Sequence, residues 1–124
     1  MVIAYASKTG NIARFAAQLA LPLLRIESGL ERLEEPAVLL TYTTGFGQVP
    51  PEVELFARAN HPFIRGVAAS GNRSWGRNFA RAADRLTERY GWPVLLKFEL
   101  AGLESDRRRF MEALKRLDPA VVPI

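Results

Sequence analysis

Val2-Ile-Ala-Tyr-Ala-Ser-Lys-Thr-Gly-Asn11 carries an apolar, β-favouring run straight into a short polar loop. Ile12, Phe15, Ala16 and Leu19 follow at the i, i+3, i+4, i+7 spacing of an amphipathic helix, so the stretch predicts a strand, a tight loop and a helix in succession. Backbone N–H groups at a helix start lack partners inside the helix, and the helix dipole adds partial positive charge there. Ser7 and Thr9 supply hydroxyls and Gly10 lets the backbone come close, so the loop suits a phosphate. Taken alone, Ser7, Thr9 and Asn11 read equally well as ordinary N-cap residues.

The rest of the chain repeats the same unit. Ala37-Val-Leu-Leu-Thr-Tyr42 is an unbroken apolar run, expected of a parallel strand covered on both faces. It leads into Thr43-Thr-Gly-Phe-Gly-Gln-Val-Pro50, and Pro50-Pro51-Glu52 then opens a helix with Val53, Phe56 and Ala57 inward, ending near Asn60-His61-Pro62. A fourth strand centred on Val67-Ala68-Ala69 runs into Ser70-Gly-Asn-Arg-Ser-Trp-Gly76. The next helix is predicted from about Gly76 to Tyr90, with Phe79, Ala83, Leu86 and Tyr90 on its apolar face and Arg77, Arg81, Arg85 and Arg89 along another. Gly91 and Pro93 end it. Val94-Leu-Leu-Lys-Phe98 is the fifth strand, and a last helix starting near Ser105-Asp106 buries Phe110, Leu114 and Leu117. Leu23-Leu-Arg-Ile26 reads as a short second strand. The stretch from Ser28 to Pro36, poor in apolar residues, reads as a surface connection where a crossover helix is missing. The order β-α-β-β-α-β-α-β-α predicts one α/β domain over residues 1–124, a mainly parallel sheet with helices on both faces.

Composition narrows the chemistry. A chain of 124 residues, 48% hydrophobic and 24% charged, suffices for one domain with a real core. No apolar run reaches the length of a membrane span, and no signal region is expected ahead of the first strand, which fits a cytoplasmic protein. The absence of cysteine excludes disulfides, thiolate nucleophiles and Cys-ligated metal centres, and a single histidine, His61, all but excludes His-based triads and metal sites. Redox chemistry would therefore ride on a bound organic cofactor. The net charge of +4 is uneven: residues 1–60 hold five basic and six acidic side chains, residues 61–124 twelve and seven. A one-sided basic surface attracts nucleic acid, acidic proteins or small anions, and charge alone does not choose among them.

In an open parallel sheet the loops leaving strands one, three and four meet at the topological switch point, where ligands bind. The first loop suits a phosphate. The other two bring glycines (Gly45, Gly47, Gly71, Gly76) and two aromatics, Phe46 and Trp75, able to stack on a flat ring. Flavin mononucleotide (FMN) fits this set best. A phosphoacceptor receiver domain is set aside because strand three ends in Tyr42-Thr43, not in an aspartate. A nucleic-acid-binding module using Arg73, Arg77 and Trp75 is the lesser alternative, since acids interrupt the basic row and the three loops go unexplained. No nucleic-acid or membrane partner is expected.

Ser7-Lys-Thr-Gly-Asn11, Thr43-Thr-Gly-Phe-Gly-Gln-Val-Pro50, Ala69-Ser-Gly-Asn-Arg-Ser-Trp-Gly76 and Lys97-Phe-Glu-Leu-Ala-Gly102 together resemble the NrdI family over nearly the whole chain. The resemblance implies a flavodoxin-like three-layer sandwich, a five-stranded parallel sheet of order 2-1-3-4-5 with helices on both faces. It further implies a redox accessory of class Ib ribonucleotide reductase more than a stand-alone enzyme. On that pattern a reductant protein or reductase supplies electrons, and the reduced FMN meets dioxygen. Superoxide then passes to the small, radical-bearing subunit for assembly of a dimanganese–tyrosyl radical cofactor. By the same resemblance Ser7, Lys8, Thr9, Gly10 and Asn11 hold the FMN phosphate, and Thr43, Thr44, Gly45, Phe46 and Gly47 border the isoalloxazine. Ser70, Gly71, Asn72, Arg73, Trp75 and Gly76 close its other side, with Trp75 as the stacking ring. An electron-transfer flavodoxin without oxygen chemistry shares the site and is the main alternative, although a sequence pI of about 10.0 is the reverse of the acidic balance usual for such carriers.

Several side chains carry two readings. Phe46 faces the ring or a partner. Arg73 places a charge beside the flavin or makes a structural pair. Lys97 and Glu99 serve packing and capping or a partner interface. The arginine row is an ion-paired solvated face, with Asp84 and Glu88 as counter-ions, or a docking surface. His61 is read as a solvated helix-end residue without a role.

Overall fold

Five parallel strands lie side by side in the order β2-β1-β3-β4-β5. The computed structural model describes residues 1–121, so the last three residues of the expected 1–124 domain lie outside the described residues. The strands are β1 (Val2–Tyr5), β2 (Leu23–Arg25), β3 (Ala37–Thr41), β4 (Ile64–Gly71) and β5 (Val94–Glu99). The helices are α1 (Asn11–Ala17), α2 (Pro51–Asn60), α3 (Arg81–Tyr90) and α4 (Glu104–Leu117). In register, Ile3 lies beside Leu23 and Val38, Leu40 beside Ala68, and Ser70 beside Phe98.

Strand alternation splits the core in two. Ala37, Leu39, Val67 and Ala69 face Val53, Phe56 and Ala57 of α2 and Ala82, Ala83 and Leu86 of α3. Val38, Leu40, Ala68 and Phe98 face Ile12 and Phe15 of α1 and Phe110 and Leu114 of α4. All five residues of β3 are buried, as its continuous apolar run requires of a central strand. Leu117 is only partly buried at the end of α4. This is the expected flavodoxin-like sandwich, helices on both faces of a 2-1-3-4-5 sheet. Among the described residues no helix is long and apolar enough to cross a membrane.

The connection from β2 to β3 has no helix and covers the sheet with Ile26 and Leu33 instead. It is pinned from two sides. Asn60, buried at the end of α2, accepts from the Leu33 N–H at 2.8 Å and donates to the carbonyls of Glu31 and Phe56, both at 2.9 Å. The Glu31 carboxylate accepts from the N–H groups of Glu27, Ser28 and Gly29 at 2.9–3.1 Å. Burial alone would raise its pKa, but these amide bonds prevail and bring it down from 4.5 to about 2. A depressed folded pKa adds stability above the unfolded value and loses it as pH falls toward the folded one. Glu31→Gln should therefore destabilise by about 1 kcal/mol at neutral pH once solvent screening is allowed for, and the gap to the parent should close between pH 4.5 and 2. Urea midpoints at stepped pH check this; a gap that does not change with pH would contradict it.

The helix expected from Gly76 begins only at Arg81. Residues Arg73–Asn78 form a 3-10 segment broken at Gly76 (φ 57°, ψ −123°), and Ala80 precedes α3 in the left-handed region at φ 49°. The cause is tertiary: Gly71 passes so close that a Cβ there would lie 2.6 Å from the Ala80 nitrogen. Arg77 consequently lies outside the helix, ahead of the arginine row.

Candidate functional site

The loops after β1, β3 and β4 meet at the carboxyl edge of the sheet. In the first, Gly10 takes φ 90° at the start of α1. Gly10, not Ser7, stands at the N-cap, but the Ser7 hydroxyl oxygen accepts from Ala13 N–H in the first turn at 3.2 Å, while its own O–H stays free to donate. Asn11 accepts from the Arg14 guanidinium. Among the described residues the amides of residues 8–12 donate to no protein acceptor. Five successive open donors at a helix start form an anion cradle.

The second loop is a tight turn closed by Thr44 N–H to Gln48 O at 3.0 Å and Gln48 N–H to Thr44 O at 2.7 Å. Gly45 (φ 55°) and Gly47 (φ 92°) make the turn, and Phe46 between them is 81% exposed. The Gln48 side chain accepts from Phe46 N–H, and Arg85 Nε donates to the Gly47 carbonyl at 2.6 Å. Thr43, buried, accepts from Ala82 N–H at 3.4 Å.

In the third loop Asn72 accepts from Ser74 N–H at 2.9 Å and its hydroxyl at 2.7 Å, holding the first turn after β4. Glu99 accepts from Arg73 N–H at 3.0 Å, tying this loop to the end of β5. Leu100 donates its N–H to the Gly71 carbonyl at 3.2 Å and is itself in the left-handed region at φ 54°. Lys97 pairs with Asp84 of α3 at 2.6 Å, so both Lys97 and Glu99 have structural partners.

These loops enclose a cleft of about 370 Å³, within the range of small-molecule sites. Of the expected site residues, Ser7, Lys8, Thr9 and Asn11 line one end; Thr43, Thr44 and Gly45 line one side, and Ser70, Gly71, Asn72 and Trp75 the other. Gly10 and Gly47 shape their turns without lining it. Phe46 borders a second recess shared with Gly45, Trp75 and Asn78. Gly76 lies beyond the lining, and the Arg73 guanidinium lies over the Phe79 ring, 4.7 Å from its centroid. Its structural reading is the one the geometry carries.

Sequence reading missed Ile12, Tyr42 and Leu100, which also line the cleft. The Tyr42 phenol donates to Glu52 at 2.6 Å; burial and then the adjacent carboxylate push its pKa above the usual range. Ile12 and Tyr42 read as core residues by period, and nothing in the sequence marks a leucine at φ 54°.

The residues present fit a flavin mononucleotide: open amides and hydroxyls at one end, and Trp75, 43% exposed, over a cleft walled by close-packed backbone at Gly71. Fold and site define a flavodoxin-like protein. The structure superposes on oxidised Flavodoxin 1 from Bacillus cereus with a TM-score of 0.69 and 19% identity, covering 98% of each chain. Flavodoxin 2 from the same organism gives 0.69 and 23%, covering 97% of this chain and 98% of that one. At these identities the likeness concerns the fold. A family model described as NrdI Flavodoxin like matches residues 3–112. Protein NrdI of Bacillus licheniformis is 46% identical over 115 residues, 93% of this chain and 88% of that protein. The chain belongs to the NrdI flavodoxin-like family. Family and fold together imply FMN as the cofactor and a redox role.

Proposed function

We propose that residues 1–124 act as one FMN-binding domain in the cytoplasm that serves class Ib ribonucleotide reductase. Once bound and reduced by a reductant protein or reductase, FMN would supply one electron to each dioxygen, giving superoxide for assembly of the dimanganese–tyrosyl radical cofactor in the reductase's small subunit. The observation that carries the reading is the convergence of five open amides with two glycine-rich loops on one cleft in a chain of this family. Residues 7–11 hold the phosphate, with the Ser7 and Thr9 hydroxyls and the amides of residues 8–12 as donors. Residues 43–47 border the ring, and residues 70–76 close its other side, Trp75 stacking on it.

One side chain, Arg85, bears on which peptide of the second loop addresses the cofactor. Arg85 occupies the Gly47 carbonyl, whereas the Gly45 carbonyl accepts no bond from the described residues. The Gly45 oxygen is thus open to the cofactor, and its φ of 55° suits glycine. A valine at Gly45 would strain that φ and drive its Cβ onto the Gln48 amide. Gly45→Val should shift the FMN potentials on the order of 60 mV, a tenfold change in relative affinity for two oxidation states. Spectroelectrochemistry reads this, and unchanged potentials would reject the role of Gly45.

The function itself is tested by anaerobic reduction followed by air, with superoxide trapped in the presence of the manganese-loaded reductase subunit. Superoxide and tyrosyl radical are expected together. Reoxidation without radical formation would leave only an electron-transfer flavodoxin.

A further inference from the structure

Arginines on α3 stand apart from the cofactor cleft. Arg81, Arg85 and Arg89 succeed one another at i+4, and Arg77 precedes them in the 3-10 segment. At 1.5 Å rise per residue, the helical ones start about 6 Å apart along the axis. Of the two acids expected to neutralise the row, Asp84 is taken by Lys97 of β5, and Glu88 forms no ion pair among the described residues. Among the described residues none of the four arginines forms an ion pair. Helix stability accounts for Arg89, in the last turn where the dipole favours a cation, but not for Arg81. Arg81 sits in the first turn, where the dipole disfavours a cation, and no side chain caps that end. Arg85 uses Nε on the Gly47 carbonyl, which leaves both Nη groups available. Arg85 and Arg89 also line a groove of about 310 Å³ between α2 and α3, alongside Glu54, Glu88 and Leu86.

We propose that this arginine face docks an acidic polypeptide segment of the partner protein. The proposal deepens the function given above by naming the partner's chemistry at one face, and it rests on that function. A guanidinium receives a carboxylate through two parallel hydrogen bonds, stronger and more directional than a point charge allows. Alternate side chains of an extended chain lie about 6.6 Å apart on one face, so acids at every second position keep step with a row spaced at about 6 Å. One strand of a nucleic-acid duplex advances about 3.4 Å per phosphate, nearly twice the charge density of the row. Glu88, in the groove with Arg85 and Arg89, would repel such a backbone, whereas a polypeptide can offer it a neutral or basic residue. The bond from Arg85 to Gly47 makes the face continuous with the cofactor loop, so a partner docked here meets the rim of the cleft.

The test uses the FMN-loaded protein and two labelled probes of equal charge, an oligoglutamate peptide and a DNA duplex, followed by fluorescence anisotropy at low and physiological salt. The peptide should bind, more weakly as salt rises. Arg77→Glu with Arg89→Glu should cost roughly tenfold in affinity, and Glu88→Lys should gain severalfold. Arg107→Glu with Lys115→Glu on α4, across the sheet, should change little. FMN affinity should be retained throughout, because none of these residues lines the cleft. A peptide that fails to bind, or that loses as much affinity on the α4 reversal, overturns the proposal. So does a DNA duplex that binds more tightly through the same two arginines. A protein that takes up no FMN fails the cofactor reading instead, and that failure is seen in the flavin titration before any peptide is added.

Discussion

Gly71→Ala should lower stability by about 2–3 kcal/mol and weaken FMN binding at least tenfold. Gly71 ends β4 with its Cα against the backbone that enters α3. An added Cβ would sit 2.6 Å from the Ala80 nitrogen and 3.2 Å from its Cα, and no side-chain rotation relieves a clash with backbone. Ala80 has no slack to give, being already at φ 49°. The loop of residues 70–76 must move outward, taking Asn72 and Trp75 with it. The Gly71 carbonyl must also release the Leu100 N–H. One methyl group therefore reaches two walls of the cleft. Thermal melts should fall by roughly 5–15 °C for such a loss, and quenching of flavin fluorescence reports the affinity. A variant with the parent's melting point and FMN affinity would show that the close approach of these two segments is wrong.

The second large effect lies in the core. Phe98 is fully buried in β5, stacked on Phe15 at 4.2 Å between centroids, and Phe15 meets Phe110 edge-on at 5.6 Å. These three rings join α1, α4 and the last strand, and with them the end of β5 that supports the third loop through Glu99. Phe98→Ala should cost about 3–5 kcal/mol, the transfer of a large ring plus the cavity it leaves. That is a sizeable share of the 5–15 kcal/mol that ordinarily holds a domain. Phe46→Ala, which removes the same ring from an 81% exposed site, should change stability by less than about 0.5 kcal/mol. Urea denaturation of the pair separates core from rim; equal losses in both would refute the division.

The contrast between these phenylalanines shows what could be read in advance. Phe46 stands between two glycines in a polar loop, and Phe98 alternates with Lys97 and Glu99 at the end of a strand, so local pattern places one outward and the other inward. The sheet was legible for the same reason: β3 carries no polar residue before Thr41, which marks a central parallel strand, and the three glycine-rich loops mark its binding edge. The start of α3 was not legible. Its apolar period runs back through Phe79, but the backbone turns left-handed at Ala80 because Gly71 presses on it, and that contact is distant in sequence. Asp84 likewise has arginine neighbours along its helix and finds its partner on β5. Asn60 looked like a helix terminator, while its burial comes from the connection of residues 27–36 folding over it. Leu100 enters the cleft through a backbone angle that leucine rarely adopts. Residues that depend on pairing between distant segments were missed, and residues fixed by their neighbours were not.

Whether the cleft takes FMN decides the role of the three loops most directly. The decisive measurement is a titration of purified protein with FMN, following flavin fluorescence and visible absorption, alongside a variant with Ser7→Ala and Thr9→Ala together. The parent should bind FMN in one-to-one stoichiometry, and the double variant should bind FMN more weakly yet keep its affinity for riboflavin, which lacks the phosphate. A colourless parent that binds no added FMN, or a variant that loses riboflavin and FMN alike, would contradict the assignment of the cleft and of residues 7–11 as its phosphate seat.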